Sequence, residues 1–170
     1  KYEGMKDLRD VCVYRFCKAE PLMIDVVSEI LIPAIGIGKV KRHRIHEYLI
    51  ERFPESKSIA DCTKAIVDAL SAGGIVRADR TQLSFAYREI SPPSFAFVIY
   101  SEFPEPGMHD LAKLEQNRHI LAMLWNPTRI LSTLYELRNL ELISRISEID
   151  NVRQFTTKWR LEEVVTRITS

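Results

Sequence analysis

Residues 39–89 carry, in order, a basic stretch, two helix patterns, a Gly-Gly pair and two β-rich runs, and few folds accommodate that order. In the first helix pattern the apolar residues keep the spacing of one buried helical face, and Pro54 ends the pattern. These apolar positions are Ile45, Tyr48, Leu49 and Phe53. We therefore expect a helix that packs one side against a core and stops before a short polar turn.

A second helix is predicted to begin near Ser58. Ser58 and Asp61 match the Ser-x-x-Asp pattern, in which side chains accept hydrogen bonds from the free backbone N–H groups at a helix start. Helical spacing of apolar residues continues at Ile59, Cys62, Ile66, Ala69 and Leu70. Gly73-Gly74 then ends the helix, because glycine adopts the left-handed conformation that a helix exit often needs.

After Gly73-Gly74, the apolar residues no longer keep helical spacing. Ile75-Val76 and residues 83–90 are rich in β-branched and aromatic residues, and the polar residues 79–81 separate them, which predicts a hairpin. Residues 36–40, before the first helix of the pair, are predicted to be a short extended link that supplies a further strand. Two helices around a short turn, followed by a hairpin, predict a winged helix-turn-helix.

The second half of the chain repeats this order. Helices are predicted at residues 94–103, 108–114, 118–124 and 127–139, and a hairpin at residues 141–149 and 152–158 with its turn at Asp150-Asn151. Apolar residues of the two halves correspond at a constant offset: Val67, Leu70, Ile75 and Val76 match Leu134, Leu137, Leu142 and Ile143. The predicted fold class is mainly α with short β-hairpins, in which two winged-helix-like units pack together. One unit belongs to a lobe of residues 1–91 and the other to a lobe of residues 92–170.

Composition limits the possible partners. The formal net charge is only +1, so any affinity for DNA must come from the local placement of cations. No apolar run approaches the roughly 18 to 20 residues that cross a bilayer, so we expect no membrane partner. Cys12, Cys17 and Cys62 lie beside apolar residues in helix patterns, so we expect buried, reduced thiols. In a first helix at residues 5–18, Leu8 and Phe16 are expected on or near the buried face.

Hydrogen-bond donors suited to phosphates and base edges cluster in the predicted helix-turn-helix and its hairpin. The candidate nucleic-acid-binding residues are Lys39, Lys41, Arg42, Arg44, Lys57, Ser58, Lys64, Arg77 and Arg80. Thr63 is also expected on the exposed side of the second helix. Two other interpretations stay open, because winged helices also bind proteins and because Glu47 and Glu51 would partly neutralise a solvated basic corner.

Residues that would carry catalysis are not found at persuasive spacing. His43 and His46 share a helix but have no third ligand at metal-binding spacing, and Gly36-x-Gly38 lacks the third glycine of a dinucleotide site. No lysine follows a glycine-rich loop in the manner of a phosphate-binding loop. The sequence therefore predicts a protein that is not an enzyme and that uses neither a metal nor a cofactor.

Several segments resemble the BrxA family, small accessory proteins of bacterial BREX (bacteriophage exclusion) systems. The similar segments are residues 19–27 with Leu31-Ile32-Pro33, residues 65–75, Ile90-Ser91-Pro92-Pro93, Trp125-Asn126-Pro127 and residues 159–165. The resemblance covers nearly the whole chain, but none of these segments carries a catalytic motif. It implies a helix-rich, cytoplasmic binder of double-stranded DNA that acts in phage defence beside a methyltransferase and other BREX proteins.

Two functional hypotheses follow. The first is a DNA-binding accessory protein of an antiviral BREX system, which confers phage resistance without catalysis of its own. The alternative is a protein-protein adaptor whose winged-helix modules dock onto larger subunits of the defence complex.

Overall fold

A computed structural model describes residues 5–149 and 152–169 of the chain. It is mainly helical, with 59% of residues in helices and two antiparallel sheets of three strands each. The elements are α1 (Met5–Ala19), α2 (Pro21–Val26, continued by a π-helical turn at Val27–Leu31 and a 3-10 turn at Ile32–Ala34), β1 (Lys39–Lys41), α3 (Arg42–Arg52), α4 (Ile59–Ala72), β2 (Arg77–Ala78), β3 (Gln82–Ser84), α5 (Pro92–Glu102), β4 (Gly107–Asp110), α6 (Leu111–Glu115), α7 (Arg118–Ala122), α8 (Pro127–Asn139), β5 (Ile143–Ile149), β6 (Val152–Thr157) and α9 (Leu161–Thr169). Among the helices in these residues, none combines the length and the apolar character that a bilayer span requires.

The described residues fall into two compact units. The early unit consists of residues 12–88 and 122–124, and the late unit consists of residues 5–11, 89–121, 125–149 and 152–169. The predicted division into lobes at residue 91 stays a prediction, because compactness within one chain does not show that either part folds alone.

The two helices predicted at the centre of the early unit are confirmed as α3 and α4. α3 buries Ile45 and Leu49, and the backbone leaves the helix at Phe53. Phe53 itself is 41% exposed, so its expected place in the core was wrong. Ser58 does precede α4, but its side chain makes no capping hydrogen bond. The Ser58 N–H instead faces the Ser56 hydroxyl oxygen at 3.4 Å, within the turn.

The hairpin of the early unit is shorter than the sequence indicated. The strand expected to run through residue 90 ends at Ser84. Its neighbours β1 and β2 are only three and two residues long, so regular strand pairing within this sheet stops there. The chain then leaves the sheet, and the N–H of Arg88 donates to the carbonyl of Leu124 at 2.7 Å.

In the late unit, the predicted hairpin is confirmed as β5 and β6, and its predicted turn at Asp150-Asn151 lies outside the described residues. Asn126 caps α8, since its side chain accepts from the N–H of Thr128 at 3.1 Å. The helix predicted from residue 108 was wrong at its start, because Gly107–Asp110 is strand β4, paired with β6. The helix begins only at Leu111.

The core of the late unit forms beneath this sheet. Phe155, on the central strand β6, is fully buried, and its ring lies 5.4 Å from that of Phe103 and 5.3 Å from that of His109. Burial lowers the pKa of His109 below its ordinary value. The buried hydroxyl of Tyr100 donates to the carbonyl of Leu142, which ties α5 to the short link between α8 and β5.

Helix α1 buries a different face from the one expected. Leu8 and Phe16 are 56% and 45% exposed, and Cys12 is exposed as well, so these three expectations were wrong. The packed face of α1 carries Asp10, whose carboxylate lies 3.5 Å from the Ser94 hydroxyl. Asp10 is buried, but it is not apolar, so the spacing of apolar residues did not indicate its burial. Cys17 is buried as expected, and burial raises the pKa of its thiol to about 11.

The two units share a strand order and a helix exit. Their sheets have the equivalent strand orders β1-β3-β2 and β4-β6-β5. The exits of α4 and α8 also match at an offset of 67 residues: the N–H of Ile75 donates to Leu70 and the N–H of Leu142 donates to Leu137, both at 2.9 Å. All eight apolar residues that correspond in the sequence are buried. The internal correspondence therefore extends to backbone hydrogen bonds.

The shared helix exit gives a test of backbone strain. Gly74 has φ +67° and its counterpart Glu141 has φ +58°, a conformation that costs a residue with a side chain about 1 kcal/mol or more. Glu141→Gly is therefore expected to raise the free energy of unfolding by about 1 kcal/mol, and Gly74→Ala to lower it by a similar amount. Urea denaturation of the two variants measures both changes. If Glu141→Gly destabilises the protein, the left-handed conformation at residue 141 is not strained.

Candidate nucleic-acid interface

The early sheet separates polar from apolar side chains by strand alternation. Residues directly opposite each other on antiparallel strands point to the same side of the sheet. Val40 pairs with Leu83, which also pairs with Ala78, and these three side chains form the inner face. Leu83 is fully buried. The intervening residues of all three strands are exposed and make up the opposite side, which we call the outer face.

Three of the predicted binding residues meet on this outer face. Lys39 pairs with Ser84, which also pairs with Arg77, so Ser84 lies between two cations. Lys41 pairs with Gln82 one step further along the sheet. None of these five residues is acidic. The outer face therefore presents three positive charges and two uncharged hydrogen-bonding side chains.

Gln82 and Ser84 were missed as members of the site. The sequence held a usable signal, because Gln82-Leu83-Ser84 alternates polar, apolar and polar in the same way as Lys39-Val40-Lys41. The alternation alone did not say that the two segments are neighbours. Only the strand order, with β3 in the centre, brings them together.

Two sets of hydrogen bonds hold the hairpin turn between β2 and β3, one made by Asp79 and one by Arg42. The Asp79 carboxylate accepts hydrogen bonds from the N–H groups of Thr81 and Gln82, each at 2.7 Å, and these bonds hold the pKa of Asp79 below its ordinary value. Arg42 ties the turn to the start of α3. Its backbone N–H donates to the carbonyl of Thr81 at 2.9 Å and its guanidinium to the carbonyl of Asp79 at 3.1 Å.

This arrangement gives Arg42 a positioning role. A guanidinium has five N–H donors, so the bond to Asp79 leaves donors for a ligand while it holds the turn in place. Lys41, Arg42 and Arg80 line one open groove beside the turn, together with His43, Thr81 and Gln82. The structure therefore brings Arg80, which is exposed at the tip of the turn, to the rim of the outer face.

The remaining cations of α3 are partly neutralised. Arg44 lies 3.6 Å from one carboxylate oxygen of Glu47, and His43 lies 3.4 Å from the other, with all three side chains well exposed. Exposed pairs of this kind contribute little to stability, but Glu47 offsets the local positive potential. The interpretation of a partly neutralised, solvated corner therefore applies to Arg44.

Helix α4 has a less basic exposed side than the sequence suggested. Lys57 and Ser58 are exposed in the turn before it, and Lys64 is exposed on the helix itself. Asp61 and Asp68 are exposed on the same helix, so its solvent side carries two carboxylates and one ammonium group. In the part of the chain that the structure describes, no strand pairing joins these three candidates to the outer face.

Thr63 was expected to be exposed, and this was wrong. It is half-buried, its hydroxyl donates to the carbonyl of Ile59 at 2.7 Å, and the same oxygen lies 3.2 Å from Nδ1 of His46. The rings of His46 and His43 stack at 5.7 Å. The hydroxyl of Thr63 is therefore used within the α3–α4 pair.

Within residues 5–149 and 152–169, no group of three or more His, Cys, Asp and Glu residues is placed to hold a metal ion. Comparisons with known protein families, with curated proteins and with solved structures found no match to this chain.

Proposed function

We propose that the protein is a non-enzymatic, double-stranded DNA-binding accessory protein of a bacterial BREX defence system, as the resemblance to the BrxA family implies. We also propose that each repeat is a winged helix. In the early repeat, the order strand, two helices, hairpin supports this assignment, whereas three helices, α6 to α8, lie between β4 and the hairpin of the late repeat. In both repeats the first strand pairs with the far strand of the hairpin, which also supports it.

One observation carries the DNA-binding proposal. The outer face of the early sheet displays Lys39, Lys41 and Arg77 without an acidic residue among its five members. Fixed cations on a flat, exposed surface attract the phosphate backbone of DNA and release its condensed counterions on binding. This local concentration of charge compensates for a net charge of only +1.

A salt titration of the intact protein on duplex DNA tests the proposal. If Lys39, Lys41, Arg77 and Arg80 each neutralise one phosphate, the logarithm of the association constant should fall with the logarithm of salt concentration with a slope of about −3 to −4. Fluorescence anisotropy on a labelled duplex of about 20 base pairs measures this slope. If binding does not saturate, or if the association constant does not change with salt concentration, DNA binding by these cations is contradicted.

A different feature favours the adaptor as the second candidate. Phe16, Leu22, Met23, Cys62, Ala65 and Ile66 line an open, mainly apolar groove in the early unit, with Glu20 at its side. Phe16 is 45% exposed there. An adaptor should co-purify with other BREX proteins, and Phe16→Glu should abolish that co-purification while DNA binding stays unchanged.

A further inference from the structure

We propose that the phosphate backbone lies across the outer face of the early sheet, that α4 stays outside the DNA grooves, and that binding is therefore independent of base sequence. This inference rests on the proposed DNA binding and specifies its mode. It differs from the usual arrangement of helix-turn-helix proteins, in which the second helix enters the major groove and contacts base edges.

The charges on α4 oppose its insertion into a groove. A helix in the major groove lies between two rows of phosphates. The exposed side of α4 would bring Asp61 and Asp68 there with only Lys64 to offset them. Like charges brought together raise the free energy of the complex. The helix thus lacks the excess of cations that would favour its insertion between phosphate rows.

The outer face has the opposite properties. Lys39 and Arg77 project from strands on either side of β3, so their backbones are roughly 10 Å apart, and Lys41 is two residues from Lys39 along the same strand. The buried inner face holds these strands in register, because a slip by one residue would bury the cations. Phosphate contacts of this kind fix the position of a duplex but carry no base information.

The equivalent face of the late sheet lacks this arrangement. Met108 pairs with Thr156, which also pairs with Arg145, so Met108 occupies the position that Lys39 has in the early sheet. Asp110 occupies the position of Lys41, and its carboxylate accepts from the N–H of Ala112 at the start of α6. One cation and one carboxylate replace three cations. The two sheets share a strand order, but of the two only the early sheet presents a cationic face.

Two double variants with equal loss of charge test the inference. Lys39→Gln/Lys41→Gln removes two cations from the outer face, and Lys57→Gln/Lys64→Gln removes two cations from the turn before α4 and from α4. All four side chains are exposed, so both variants should fold, which circular dichroism and thermal melting check. Each protein is titrated with two unrelated duplexes of equal length over a range of salt concentrations.

The sheet variant should lose roughly 50-fold in affinity at about 0.1 M salt. The slope of the logarithm of its association constant against the logarithm of salt concentration should become shallower by about 2, because each lost phosphate contact removes about 0.9 from that slope. The α4 variant should change less than about threefold, because in the proposed binding mode Lys57 and Lys64 contact no phosphate. The unmodified protein should bind both duplexes within about threefold.

Each other outcome has a distinct meaning. If the α4 variant loses as much affinity as the sheet variant, or if one duplex is bound more than about tenfold better, the inference is overturned and DNA binding itself stands. If the unmodified protein does not bind duplex DNA, the proposed function and the inference are both overturned.

Discussion

Phe155→Ala should lower the free energy of unfolding by about 4 kcal/mol, the largest effect expected of any single substitution considered for this chain. Phe155 is fully buried at the centre of the late sheet, and its ring meets those of Phe103 and His109 edge-on or tilted. The substitution removes that apolar surface and leaves a cavity, since strands on both sides of β6 prevent its collapse.

Urea denaturation followed by circular dichroism measures this loss. Val152→Ala is the matched control, because Val152 lies on the same strand but is 53% exposed, and we expect a change below about 1 kcal/mol. If both variants lose the same stability, positions 152 and 155 of β6 do not differ in burial as described.

Leu83→Ala should lower the free energy of unfolding by about 3 kcal/mol, the second largest effect. Leu83 is the counterpart of Phe155, since it is fully buried on the central strand of the early sheet and pairs with both Val40 and Ala78. Leucine buries less apolar surface than phenylalanine, so the loss should be smaller than at Phe155.

Denaturation of Leu83→Ala is compared with that of Gln82→Ala, whose exposed side chain lies on the outer face of the same strand. We expect Gln82→Ala to change the free energy of unfolding by less than about 0.5 kcal/mol. Equal losses at positions 82 and 83 would mean that the early sheet does not have distinct inner and outer faces, and the proposed cationic surface would lose its basis.

The position of Arg42 changes the expected roles within the basic stretch. Lys39 and Lys41 are exposed on the outer face, whereas Arg42 holds the hairpin turn and Arg44 is paired with Glu47. Four neighbouring cations that looked equivalent in the sequence therefore divide into two that present charge, one that positions the turn and one that is partly neutralised.

Local features of the chain could be predicted from sequence because they depend on neighbouring residues. Gly73-Gly74 ends α4, Asn126-Pro127 starts α8, and the second hairpin forms at the expected place. Caps, breakers and apolar periods act over a few residues, so the sequence determined these elements without knowledge of their partners. The constant offset between the repeats followed for the same reason.

Only the tertiary structure decided which of these elements share a surface. Strand β4 was taken for the start of a helix because four residues carry little periodicity and owe their conformation to pairing with β6. The outer face depends in the same way on β3, which lies between β1 and β2 and aligns Lys39, Ser84 and Arg77 across 46 positions of sequence. Strand pairing joins residues that are distant along the chain, and local propensity contains no information about the partner.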